Sequence, residues 1–173
     1  MPTSDAGLRR HCVFQLFPAG GVPMNEGLPQ SRRGLARRLT VQALYQWLLN
    51  ETPPEVLLLQ FRTQEEGLGR ADPAYFEELL KGCVEHAAEL TVAVTPYLDR
   101  ALNQLDPVEH AILLVGAYEL QFKPDVPWKV AVNEAVNLTK MFGAEEGFKF
   151  VNGVLDRLAR AMRQTEIGAD GGR

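Results

Sequence analysis

LDPVEHAILLVGAYEL, residues 105–120, is the stretch whose reading decides the fold. Asp106 offers a side-chain acceptor at a helix start, and Pro107 suits the first turn, where its missing N–H costs nothing. Glu109 stands where a capping-box acid reaches back to the cap. The residues that follow, Ala111 to Tyr118, have no polar face. A helix apolar on all sides must be surrounded by others, so this one is expected at the centre of the fold. Gly116 would let a neighbouring helix come close.

Helical signals repeat on both sides of that segment. Towards the N-terminus, Ser31 is placed to cap a helix that runs to about Asn50, where Thr52-Pro53-Pro54 stops it. Its inward stripe is Ala36, Leu39, Thr40, Ala43, Leu44, Trp47 and Leu48. Its outer stripe is Arg38, Gln42 and Tyr45. A short apolar segment from Val56 to Phe61 follows. Thr63 to Ala71, with Gly67 and Gly69, reads as a loop. Asp72-Pro73 opens another helix, burying Phe76, Leu79, Leu80, Cys83, Val84 and Ala87. Thr95-Pro96 repeats the same start signal.

Towards the C-terminus, Pro124 and Pro127 bracket a tight connection. A helix is expected from about Pro127 to Phe142, with Val132, Ala135, Val136, Leu138 and Phe142 available for burial and Gly143 as its C-cap. A last helix covers about Ala144 to Met162, with Val151, Val154, Leu155 and Leu158 inward and the acids Glu145 and Glu146 in its first turn. No strand pattern competes, and the fold class is all-α, as one compact domain or two small subdomains sharing a core. The expected organisation is a disordered or mis-assigned extension over 1–30, an N-terminal subdomain over 31–94, a C-terminal subdomain over 95–164 and a frayed tail over 165–173. Met24 precedes the patterned region, and translation starting there would explain the extension.

Composition narrows the function. The 173 residues carry a net charge of −4, with a pI near 5.4. That argues against coating nucleic acid through bulk positive charge, so any such site must be local. Arg32, Arg33, Arg37 and Arg38 form one local basic cluster; a solvated helix terminus would explain it equally well. Arg9-Arg10 superficially suggests an export leader, but the apolar stretch after it is short and ends at Pro18-Ala19-Gly20-Gly21 without a small-x-small cleavage site. Two cysteines, Cys12 and Cys83, make no disulfide framework and suit a reducing cytoplasm. Cys83 and His86 share a helix face, but two ligands do not make a zinc site, and no metal is expected. No nucleophile–base pair, glycine-rich phosphate loop or paired-carboxylate motif occurs, so neither a cofactor nor an enzyme activity is expected.

Two blocks carry a family resemblance. SRRGLARRLTVQALYQW, residues 31–47, resembles the arginine-rich opening helix of the NusB transcription antitermination family. PDVPWKVAVNEAVNLTKMFGAEEGFKFVNGVLDRL, residues 124–158, resembles that family's C-terminal helix pair, and residues 105–120 its central helix. The resemblance implies a helical fold of two three-helix-type subdomains sharing a core, and an adaptor that binds the boxA element of nascent ribosomal RNA transcripts as a single strand. It implies the partner NusE, a ribosomal small-subunit protein, and, indirectly, other Nus factors and RNA polymerase. By position, Arg32, Arg33 and Arg37 fall in the RNA-contacting segment, although Gly34-Leu35 interrupt its run of arginines. Lys149 and Phe150 match an RNA-contacting Lys-Phe pair, and Glu146 matches an acidic position beside it. Tyr45 and Glu109 match positions at the partner-protein interface.

These residue types suit the task, as one positive, ring-bearing patch assembled from the opening and final helices. Single-stranded RNA needs cations along its backbone and flat rings under its bases. Four neutralised phosphates would give a log–log salt slope near −3, at roughly 0.7 per contact. Simpler roles stand beside each assignment: Phe150 as a core residue, Tyr45 as a half-buried helix aromatic, Glu109 as a helix cap. Two other readings remain: a protein-interaction bundle without RNA binding, and a domain like those fused to ribosomal RNA methyltransferases. Against the latter, no strand with a glycine-rich turn could hold a methyl donor.

Overall fold

A computed structural model describes residues 30–65, 67–142 and 146–171. Among these, every regular element is helical. The expectations for residues 1–29, including Met24 and Cys12, and for Gly143 and Glu145 lie outside the described residues.

Helix α1 spans Arg32–Asn50, and Ser31 caps it by accepting from Gly34 N at 2.9 Å. Its end is marked by Glu51, which adopts a left-handed φ of 54°. Helix α2 (Pro54–Thr63) grows from the short apolar segment. The loop after it turns on Gly67 and Gly69, at φ of 54° and 55°, a region where a side chain would be strained. Helix α3 (Pro73–Glu85) starts at Asp72, whose carboxylate accepts from Tyr75 N at 3.1 Å. The chain then breaks at His86 into α4 (Ala87–Val94).

Thr95-Pro96 does not open a helix. Thr95 turns its hydroxyl back to donate to Thr91 O at 2.6 Å, and only a single 3-10 turn, Thr95–Tyr97, follows. A hydroxyl bonded to the preceding turn is not free to cap the next. A second 3-10 turn, Leu102–Gln104, leads into the central helix α5 (Pro107–Phe122). Asp106 caps α5 through Val108 N at 2.8 Å. Every residue from Ala111 to Leu120 is buried, as its uniformly apolar sequence requires.

Helices α6 (Trp128–Phe142) and α7 (Gly147–Met162) complete the core. Val151, Val154, Leu155 and Leu158 of α7 all point inward. A Cβ placed on Gly116 would lie 2.6 Å from a Leu155 methyl, so the close approach of α5 and α7 depends on that glycine. The segment read as a frayed tail is instead helical, α8 (Gln164–Asp170). It is tied back where Glu166 accepts from Trp128 N at 2.9 Å, capping α6 from a distance. Ser31–Arg173 hold together as one compact unit. Helix α5 packs on α1, α3 and α4 from one side of the expected subdomain boundary and on α6 and α7 from the other.

Residue pairs fix the helix directions. Along α1, Arg33 meets Asp125 and Arg37 meets Glu119, so α1 runs antiparallel to α5. Gly147 lies against Glu109, Gly116 against Leu155, and Arg163 bonds Leu120 O, so α7 runs parallel to α5. The N-termini of α1 and α7 therefore stand at opposite ends of the central helix.

Candidate nucleic-acid interface

That opposition changes the expected site. Arg32 and Arg33, in the first turn of α1, lie at the C-terminal end of α5. Lys149 and Phe150, in the first turn of α7, lie at its N-terminal end. One basic, ring-bearing patch is replaced by two clusters. With Glu109 and Lys123 as the markers of the two ends, they are about 20 Å apart at 1.5 Å of rise per residue.

Arg32 and Arg33 are exposed. Arg33 lays its guanidinium over the Tyr75 ring, 4.4 Å from the centroid, and reaches Asp125 at 3.2 Å. Lys123 approaches the same ring at 5.7 Å and the same carboxylate at 3.5 Å. Lys123 thus joins this cluster, which sequence position alone did not reveal. Burial is the largest single influence and opposes it, but Arg33 and Lys123 together hold Asp125 below the usual carboxylate range.

Arg37, expected among the RNA-contacting cations, is instead buried. Its side chain is 4% exposed and forms a fork with Glu119, Nε to Oε1 at 2.5 Å and an Nη to Oε2 at 3.1 Å. Glu134 stands 3.9 Å away. Burial alone would lower the Arg37 pKa, yet its bonds and attraction to Glu119 leave it raised. A guanidinium held this way is an interior tie and is not presented to a phosphate. The buried arc of α1 is correspondingly rotated: Arg37, Val41 and Tyr45 are buried, while Leu39, Trp47 and Leu48 are only half-buried.

At the other end, Lys149 is 68% exposed and pairs with Glu146 at 3.1 Å. Such a surface pair holds its lysine only weakly. Phe150 is half-buried, neither sealed in the core nor fully offered to solvent. Arg100 lies over its ring at 4.2 Å. Beside them Phe148 carries Lys140 at 4.8 Å from its ring centroid.

The two residues matched to a protein interface are both largely enclosed. Tyr45 is 7% exposed, which removes it from the outer stripe of α1. Glu109 is 8% exposed and lies against Gly147, where an added Cβ would come within 2.6 Å of its Oε1. The capping-box bond expected of Glu109 is not among those of the described residues; Asp106 caps alone. Burial, followed by the charge of Asp106, pushes the Glu109 carboxyl above its usual range. Because α1 and α5 are antiparallel, Tyr45 and Glu109 fall at the same end of α5, the end that carries Lys149 and Phe150.

Cys83 and His86 do not converge. The Cys83 thiol lies 3.7 Å from Leu114 O, and the His86 ring packs on Phe122 at 4.3 Å between centroids. Among the described residues no three metal-ligating side chains form a group, and no helix is long and apolar enough to cross a membrane.

The match to known proteins follows this architecture. The family model described as "NusB family" matches residues 35–160. The chain belongs to the NusB family. A transcription antitermination protein NusB of Ralstonia pickettii (strain 12J) is 51% identical over 140 residues, covering 81% of this chain and 90% of that protein. A T. maritima NusB structure aligns with a TM-score of 0.67 at 28% identity, covering 82% of this chain and 99% of its own. A crystal structure of antitermination factors NusB and NusE in complex with double-stranded RNA aligns with a TM-score of 0.62 at 27% identity, covering 75% and 97%. The NusB-family segment thus includes α1 from Leu35 onward and nearly all of α7, so both clusters fall within it or directly before it.

Proposed function

We propose that this chain is a transcription antitermination factor that binds single-stranded boxA RNA of nascent ribosomal RNA transcripts together with NusE. It works in the cytoplasm as an adaptor and catalyses nothing. Other Nus factors and RNA polymerase are reached through that complex. The observation that carries the reading is the pair of cation–ring clusters at the two ends of α5, on a chain whose net charge is −4. A bound strand would run between them, spanning about 20 Å, or roughly six nucleotides at 3.4 Å each. Arg32 and Arg33 hold phosphates at one end, and Lys149 does so at the other. Phe150 offers a ring edge to a base, and Glu146 competes for Lys149. Tyr45 and Glu109 lie beneath the surface that would meet NusE and set its shape.

Removing Arg37 from the cation set lowers the expected salt slope from about −3 to about −2, for Arg32, Arg33 and Lys149. Titration of boxA RNA, scrambled RNA and an RNA duplex, each with and without purified NusE, tests the reading. Preference for single-stranded boxA, strengthened by NusE and with a slope near −2, is expected. Equal, salt-insensitive binding of all three, or none, would favour an interaction bundle without RNA recognition.

A further inference from the structure

Nothing in the sequence pattern marks Arg100, which sits between the two 3-10 turns that precede α5. In the folded chain it reaches α7 and covers the Phe150 ring, 4.2 Å from the centroid. The stack is supported on one side only: Phe150 is half-buried and carried on a helix, while Arg100 is exposed. The N–H edge of the guanidinium is turned to its neighbour Asp99, Nε at 2.8 Å and an Nη at 3.4 Å. Asp99 also lies within the field of Arg157 on α7. Arg100 thus lies on the phenyl ring itself, with Lys149 next to Phe150 in sequence and Arg157 near Asp99.

Two properties of this arrangement point to a nucleotide. A guanidinium stacked on a ring presents a second flat face, and unpaired bases stack on guanidinium planes as they do on aromatic rings. The N–H edge that Asp99 holds is the one a phosphate takes with two parallel bonds. An exposed ion pair between adjacent residues is a weak competitor, so a phosphate can displace that carboxylate.

We propose that Arg100, stacked on Phe150, is an RNA-binding residue: a base lies on the outer face of its guanidinium, and a backbone phosphate replaces Asp99 at its edge. Asp99 then restrains affinity by holding that edge in the free protein. This inference rests on the RNA-binding reading above.

Fluorescence titration of a boxA-containing single strand with the full-length chain, across a salt series, tests it. Arg100→Ala is expected to weaken binding about 5- to 10-fold, at the lower end of the range for one stacked base, and to flatten the salt slope by about 0.7. Arg100→Lys should keep the slope but still lose several-fold in affinity, since an ammonium offers no plane. Asp99→Asn should tighten binding about 2- to 3-fold, the scale of a weak surface ion pair. Circular dichroism checks that these surface variants remain folded. If the wild-type chain binds no RNA, the RNA reading fails and this inference goes with it. If the wild type binds and Arg100→Ala matches it in affinity and slope, the inference alone is overturned. Wild-type affinity in Arg100→Lys would overturn the stacked platform, and an unaltered Asp99→Asn would overturn the displacement. A defect seen only when NusE is present would make Arg100 a protein contact instead.

Discussion

The Arg37 guanidinium and the Glu119 carboxylate, 82 residues apart in sequence, meet inside the protein as a two-pronged ion pair. Both are almost fully enclosed, with side chains 4% and 1% exposed. Removing one partner leaves the other buried and uncompensated, which costs about 3–5 kcal/mol. Arg37→Ala or Glu119→Ala should therefore lower the urea midpoint sharply. Replacing both together, as Arg37→Met with Glu119→Leu, should recover most of that loss. Additive losses in the double variant would contradict an isolated pair, and would point to Glu134 and Tyr75 as further members.

Two glycines should respond in opposite directions to the same substitution. Gly116→Ala drives a methyl into Leu155, which is fully buried and cannot move aside; overpacking of this kind costs about 1–3 kcal/mol. Gly153→Ala meets nothing within 4 Å and should stabilise α7 by about 0.5–1 kcal/mol. Thermal or urea unfolding of the two variants checks both signs.

Arg163 closes the C-terminal end of α5. Its guanidinium donates to the carbonyls of Glu119, Leu120, Lys123 and Val126 and pairs with Glu166 at 2.6 Å. Glu119 O also accepts from Lys123 N at 3.1 Å and Lys123 O from Val126 N at 3.0 Å, so at these two carbonyls the guanidinium adds a second bond. Arg163→Ala is expected to cost about 2–3 kcal/mol, because bonds from a charged donor are lost. It should also loosen α8. Hydrogen exchange should then accelerate over residues 119–126 and 164–170 before it does in α3; uniform acceleration would contradict a local clamp.

The sign of one pH effect follows from Glu109. Its carboxyl titrates above the ordinary 4.5 when folded, because burial and Asp106 disfavour its charge. Between 4.5 and that higher value the folded state binds more protons than the unfolded state, so stability falls as pH rises. Glu109→Gln removes this dependence. The stability of the wild type relative to Glu109→Gln should be greatest below pH 4.5 and decline as the pH rises through the higher folded value. A wild-type advantage that grows with pH would reverse the assignment.

Much of this architecture was legible because its signals are local. Ser31, Asp72 and Asp106 each cap a helix within three residues of themselves. The apolar run of α5 could only be central. The misread parts depend on partners far away in sequence. Arg37 looked like a surface cation because Glu119, its counterion, lies on another helix. The tail looked frayed because the bond from Trp128 N to Glu166 spans 38 residues. The two halves of the basic site were expected together, since helix direction is a property of packing and not of either N-terminal segment. Arg100 and Lys123 were missed for the same reason: each meets its ring across the tertiary fold.

A bound boxA strand must touch both ends of α5. Affinities of a twelve-nucleotide boxA RNA for the wild type, Arg32→Ala/Arg33→Ala, Phe150→Ala and the triple variant measure this directly. Weakening by both separate changes is expected, about tenfold for Phe150→Ala, with a shallower salt slope only when the arginines are lost. Undiminished binding on removal of either end would contradict it.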